Sequence, residues 1–220
     1  MKSIAFIPIK FGSRRIPGKN TKRLYDGTPL MHLIQRTCLE SKRIEETYIY
    51  CSNDSVKEYV IPGITYLKRP EYLDGDLIHA KELIEEFVKT IDADIYIMTH
   101  STAPFAKAET IDECIEKVSS GKYDSAFCAE NIKTCMWRDG RPINYDLDAT
   151  FTGTQYLPDI YAETSIAYVF TKETFKKLGR RIGNKPFIKE VDKIEGMDID
   201  WPDEFEIADA IYRKMKENSI

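Results

Sequence analysis

AFIPIKFGSRRIPGKN, residues 5–20, runs an apolar segment straight into a basic loop that carries two glycines. The run Ile4–Ile9 predicts a buried N-terminal strand. Lys10, Arg14, Arg15 and Lys19 follow within ten residues, and no acid occurs before Asp26. In α/β proteins a strand that opens into such a loop presents backbone N–H groups and cations to phosphate. This is not a Walker P-loop: five residues separate Gly12 from Gly18, one more than that motif allows, and Asn20 stands where its Ser/Thr would reach Mg²⁺. No G-x-G-x-x-G is present either.

Working outward, apolar, β-branched or aromatic runs recur at Tyr48–Cys51, Ile95–Met98, Ser125–Ala129 and Ile166–Phe170. Helical patterns lie at Leu30 to Glu40, Ala80 to Ile91, Thr110 to Val118 and Pro202 to Lys216. This alternation predicts an α/β fold with a mainly parallel sheet covered on both faces. Ligands of such sheets bind at the carboxyl ends of strands near a topological switch, where the basic loop is expected. For the last helix, Asp200 is the expected cap, with Pro202 in its first turn. One stretch, 137–161, has no clear period and reads as an irregular excursion or flap within a single domain spanning 1–220.

Composition narrows the function classes. The 220 residues include 42% hydrophobic and 31% charged side chains, enough for one sizeable core. A net charge of -4 argues against a nucleic-acid partner. No apolar run reaches membrane-span length, and the N-terminus lacks a signal-peptide cleavage pattern. The five cysteines (38, 51, 114, 128 and 135) form no C-x-x-C pair, which predicts reduced, mostly buried thiols and a cytoplasmic location.

The loop resembles the A-R-x-G-S-K-R-x-P-x-K-N signature of the CMP-sugar synthetases, the acylneuraminate cytidylyltransferase family. Gly12, Ser13, Arg14, Arg15, Pro17, Lys19 and Asn20 fit it, seven positions in nine, with Lys10 at its first arginine. The resemblance implies a Rossmann-like nucleotidyltransferase that uses CTP and Mg²⁺. It places Lys10, Arg14 and Lys19 in catalysis and Ile9, Gly12, Ser13 and Asn20 on the nucleotide. Leu67–Asp76 is similar to the family's R-P-x-x-L-A-x-D stretch through Arg69 and Asp76, which would help frame the nucleotide. His100–Phe105 is similar to Q-P-T-S-P-L, with His100, Thr102 and Pro104 under base and ribose.

Near the C-terminus, GMDID places Asp198 and Asp200 at i and i+2, read as one face of a short strand. Two such carboxylates either hold a hard cation or serve as turn residue and helix cap. DIDWPDEFEIA resembles the family's terminal D-I-D run, which implies that Asp198 and Asp200 are the Mg²⁺ ligands and that Ala208 packs inward. His100 itself reads as a general base, a nucleotide hydrogen-bonder or a satisfied polar group.

The sugar end departs from the family. Sialic-acid members flank an L-P pair with arginines, whereas Leu157-Pro158 here has Thr154, Gln155, Asp159, Tyr161 and Glu163 around it. Gln155, Tyr161 and Glu163 are the expected acceptor-binding residues, and Lys133, Arg138 and Arg141 are nearby cations in sequence that could substitute. The expected activity is CMP transfer from CTP to a small-molecule acceptor, a nonulosonic-acid-like sugar, with N-acetylneuraminate itself poor. A phosphonate or phosphorylated acceptor, and a non-catalytic nucleotide-binding relative, are the alternatives. The aromatic excursion predicts a homodimer.

Overall fold

The computed structural model describes residues 1–150 and 153–218. Its main sheet contains β1 (Ser3–Pro8), β2 (Glu46–Cys51), β3 (Thr65–Lys68), β4 (Ile95–Met98), β5 (Ser125–Asn131), β8 (Tyr161–Thr171) and β9 (Pro186–Val191). The spatial order is β3-β2-β1-β4-β8-β5-β9. All of these run parallel except β8, which is antiparallel to both β4 and β5. The chain builds outward from β1 to β3 and then crosses to β4, so the switch point lies between β1 and β4.

β1 is buried on both faces, and the alternation of its side chains explains the layers. Ile4 and Phe6 face a cluster with Tyr50, Phe87, Tyr96 and Phe170, supplied on the helix side by α2 (Ala80–Thr90). The Phe6 and Phe87 rings stack with centroids 4.3 Å apart. Ala5, Ile7 and Ile9 face the opposite cluster, packed by α1 (Met31–Glu40) and α3 (Ala108–Ser119). A third cluster joins Ile16 of the basic loop and Ile199 to Leu30, Phe105 and the inner face of α5 (Pro202–Glu217). Ala208 is fully buried there, as the pattern predicts.

Several local expectations are corrected. Residues 197–200 form no strand; Asp198 and Asp200 lie on an irregular segment that Ile199 N–H ties to the Thr102 carbonyl at 2.9 Å. Asp200 does not cap α5. Trp201 is its N-cap residue, and the Glu204 carboxylate accepts from the backbone N–H groups of both Asp200 and Trp201 at 2.6 and 2.8 Å. The excursion holds a small hairpin, β6 (Trp137–Arg138) and β7 (Arg141–Pro142), while Tyr161 already belongs to β8. β3, β9 and the short α4 (Lys172–Leu178) are additional to the elements read from the sequence. Cys51 and Cys128 are core residues, as expected.

Candidate functional site

β1 ends at the switch point, and the loop after it returns through Gly18, whose φ of 65° is left-handed backbone that suits glycine. That turn sends Lys19 inward, where it is only 9% exposed. Its Nζ donates to the Ile199 carbonyl at 2.6 Å and to Asp200 Oδ1 at 3.1 Å. Arg15 reaches the same Asp200 oxygen at 2.7 Å and lies over the Trp201 ring. Lys10 and Arg14 converge instead on Asp76, Lys10 at 3.3 Å. Hydrogen bonding from Lys10 and the Arg14 charge hold the Asp76 carboxyl below its ordinary range. Two carboxylates therefore organise the four loop cations.

Other positions pin the loop. Asn20 donates to the Lys10 carbonyl at 2.9 Å and accepts from Ser101 at 2.5 Å, tying β1 to the loop after β4. The Ser13 hydroxyl accepts from Ile16 N–H, and Ser13 N–H donates to the Phe11 carbonyl. Gly12 is exposed. The Ile9 side chain is core, so any contact with a ligand must come through its backbone. Pro104 is buried, and Thr102 carries the carbonyl that anchors Ile199.

Beside the loop lies a cavity of about 370 Å³ whose walls include Lys10, Arg69, Asp76, Met98, His100 and Arg181. Arg69 is 2% exposed and its ion pair is with Asp74, not Asp76. The Ser52 hydroxyl also donates to Asp74, and these bonds outweigh burial to keep the Asp74 carboxyl low. The Arg69 Nε is buried without a hydrogen-bond partner among the described residues, a donor available to a ligand at the wall. A larger hollow of about 630 Å³, bounded by Asp94, Thr171 and Lys172, lies at the opposite ends of the strands.

His100 Nδ1 is 3.2 Å from the Ser165 carbonyl. Only an N–H can donate there, which leaves Nε2 as the lone-pair nitrogen. Burial first, then the Arg181 charge, push the imidazole down to about 4. His100 is therefore neutral near pH 7 and a weak base, a fixed acceptor rather than a proton-abstracting group. The Ser165 hydroxyl donates to Asp198 Oδ2 at 2.7 Å, so one residue links His100 to the aspartate segment. The other Asp198 oxygen, Oδ1, is buried with no hydrogen-bond partner among the described residues.

The depressed His100 value sets a sign for acid stability. The unfolded imidazole titrates near 6.5 and binds protons more tightly than the folded one. The stabilisation is complete above that pH and is lost as pH falls towards 4, by up to ~3 kcal/mol. Urea unfolding at pH 7 and 4.5 should show a smaller acid loss in His100→Asn than in the parent. Equal losses would exclude this role.

Not every expected acceptor residue converges here. Glu163 does: its Oε2 accepts from Tyr168 at 2.9 Å and lies 4.0 Å from Arg181. Tyr161 instead donates to Glu190 at 3.4 Å, and Gln155 is exposed on a single 3₁₀ turn. Lys133 is engaged by Asp159 and the Leu157 carbonyl, both at 2.6 Å, while Arg138 and Arg141 face each other on the hairpin. Arg181, Ser165 and Asp74 were missed by the sequence reading. Only Arg181 leaves a local trace, as the second of two arginines after Gly179, which stops α4 with a φ of 64°.

A family model described as cytidylyltransferase matches residues 4–217. The chain is 24% identical over 217 residues to an N-acylneuraminate cytidylyltransferase of Streptococcus agalactiae serotype V, covering 93% of this chain and 52% of that protein. It is 29% identical over 125 residues to the CMP-N,N'-diacetyllegionaminic acid synthase of Legionella pneumophila, covering 53% of each. The chain thus spans about half the length of the curated relatives it matches. A solved CMP:2-keto-3-deoxy-manno-octonic acid synthetase complexed with CTP superposes with TM-score 0.74 at 15% identity, covering 98% of this chain and 100% of that one. The 4-diphosphocytidyl-2C-methyl-D-erythritol synthase of Anaerococcus prevotii superposes with TM-score 0.65 at 15% identity, covering 96% of each. At these identities the superpositions establish a shared fold.

Proposed function

Because this chain belongs to the cytidylyltransferase family, we propose that it transfers CMP from CTP to a hydroxyl of a nonulosonic-acid-like sugar and releases pyrophosphate. The observation that carries this reading is the loop at the switch point, whose four cations are gathered by Asp76 and Asp200 beside the cavity. The acceptor oxygen attacks the α-phosphorus; the new O–P bond forms as the bond to pyrophosphate breaks, and the hydroxyl proton passes to water. The protein contributes position and charge. Lys10, Arg14 and Lys19 stabilise the departing pyrophosphate, Arg69 offers its unfilled Nε–H to the nucleotide, and His100 Nε2 accepts from a ligand hydroxyl or amine.

The donor set suits Mg²⁺. Asp198 Oδ1 is a buried carboxylate oxygen without a partner among the described residues, and Asp200 lies two residues on; the two would hold the ion with water completing its shell. When bound, Mg²⁺ supplies charge neutralisation at phosphate and lowers the pKa of an oxygen it contacts. A phosphonate or phosphate acceptor is the second reading: Leu157-Pro158 has Thr154, Asp159 and Glu163 around it instead of the arginines of the sialic-acid members, so nothing there selects a sugar carboxylate over another oxyanion. We place the reaction in the cytosol, in keeping with five free cysteines, four of them buried. Pyrophosphate release on CTP, compared with the other three NTPs across sugar-acid and phosphonate acceptors, tests the reading. Release without preference for CTP contradicts it.

A homodimer completes the proposal. Trp137, Ile143, Leu147 and Tyr156 are 46 to 73% exposed on the excursion, more apolar surface than an isolated flap keeps in water. Light scattering at micromolar concentration should give twice the 25.5 kDa chain mass. A monomer there contradicts the dimer.

A further inference from the structure

We infer that Arg181 is the specificity-determining cation of the acceptor site and binds an oxyanion carried by the acceptor, a carboxylate or a phosphonate. This deepens the transfer reading and rests on it. Arg181 belongs to the segment after α4, far in sequence from the Leu157-Pro158 pair, yet it lines the same cavity as Lys10, Arg69 and His100. Its guanidinium lies 3.4 Å from the centroid of the Tyr168 ring, which fixes its plane. His100 approaches the same ring edge-on, with centroids 6.3 Å apart.

The donors of Arg181 are under-used. Among the described residues its polar contacts are a weak one to the Met98 sulfur at 3.6 Å and a long ion pair to Glu163 at 4.0 Å, beyond hydrogen-bond range. The same Glu163 oxygen also accepts from the Tyr168 hydroxyl. A guanidinium carries five N–H donors in a planar fork, and the group that fills such a fork is an oxyanion bound by two of them. The remaining wall cations, Arg69 paired with Asp74 and Lys10 paired with Asp76, are the ones assigned above to the nucleotide and its pyrophosphate. The side chain of Arg181 is 24% exposed, enough for a ligand to reach it and enough shelter to strengthen the pairing. The neutral His100 beside it adds no competing proton, and its Nε2 suits a hydroxyl next to the anion. An arginine from another element of the fold thus lines the cavity, whereas none flanks Leu157-Pro158.

The test uses two matched pairs of acceptors with CTP, scoring only CMP joined to the acceptor's hydroxyl, the group common to both members of a pair: N-acetylneuraminate against its carboxamide, and 2-hydroxyethylphosphonate against its dimethyl ester. The parent chain should prefer the charged member of at least one pair by roughly 50-fold or more in kcat/KM, and the responding pair identifies the source of the oxyanion. Arg181→Ala should erase that preference through acceptor KM, with CTP KM changed less than about threefold and the melting temperature held. Arg181→Lys should keep part of the preference, since it preserves the charge and loses the fork. Should Arg181→Ala unfold, Arg181→Met keeps the stem on Tyr168 and carries the same expectation. A charge preference that survives both neutral variants overturns the inference and leaves the transfer reading intact. A parent chain that transfers CMP to none of the four acceptors overturns both.

Discussion

Lys19→Ala should lower kcat by about 10²–10³-fold, the usual cost of removing one organised charge donor from a transferring phosphoryl group. The same variant should lose stability, because Lys19 is buried and bonded to both the Ile199 carbonyl and Asp200. Removing it leaves those acceptors short of a partner at a cost of about 1–3 kcal/mol. Arg14→Ala should separate the two effects. Its side chain is 82% exposed and pairs only with Asp76 among the described residues, so turnover should fall while the melting temperature stays put. Single-turnover CMP transfer and thermal unfolding measured on both variants decide the matter. Full activity in either variant removes that residue from the phosphate cradle.

Asp198→Asn should likewise reduce turnover by about 10²–10³-fold, with part of the loss restored by raised Mg²⁺. Asparagine can still accept from the Ser165 hydroxyl, so the fold should hold. The substitution removes charge at the carboxylate whose Oδ1 is buried and unpartnered. Asp200→Asn is a different experiment. Asp200 is the counter-ion of Arg15 and Lys19, so its loss should also loosen the loop and lower the melting temperature. Quenching by added Mn²⁺ reports metal binding apart from activity. Undiminished turnover of the parent chain in EDTA would contradict the metal proposal.

Much of this site is legible locally because it follows a buried strand. β1 and β4 lie inside the sheet, and their apolar runs announce them. The loop after β1 carries its cations contiguously, so spacing and charge are visible together. The strands that escaped the reading, β3 and β9, are the two edges of the sheet. Thr65-Tyr66-Leu67-Lys68 and Pro186–Val191 are partly solvated and mix polar with apolar residues, which blurs the hydrophobic signal. α4 is short, and three of its seven residues are lysine. Arg181 was out of reach for another reason. Its place at the cavity depends on β8 running antiparallel beside β4, which brings Tyr168 opposite Met98. The roles of Asp198 and Asp200 were likewise read as a strand face, whereas a backbone hydrogen bond from Ile199 to Thr102 and the third apolar cluster hold them in place.

The sharing of four cations between Asp76 and Asp200 bears on the entropy and the salt response of binding. The loop side chains are ordered by partners within the chain, so an arriving polyphosphate exchanges one set of oxygens for another and freezes few new rotamers. Four positive charges balanced by two negative ones leave the loop with a net excess of two. Long-range attraction for the nucleotide is then that of a modestly charged patch, and its association rate should respond to ionic strength less steeply than four bare cations would dictate. Selectivity against stray anions follows from the same arrangement. A single sulfate or chloride carries too little charge to stand in for two carboxylates, whereas a polyphosphate carries enough to balance all four cations.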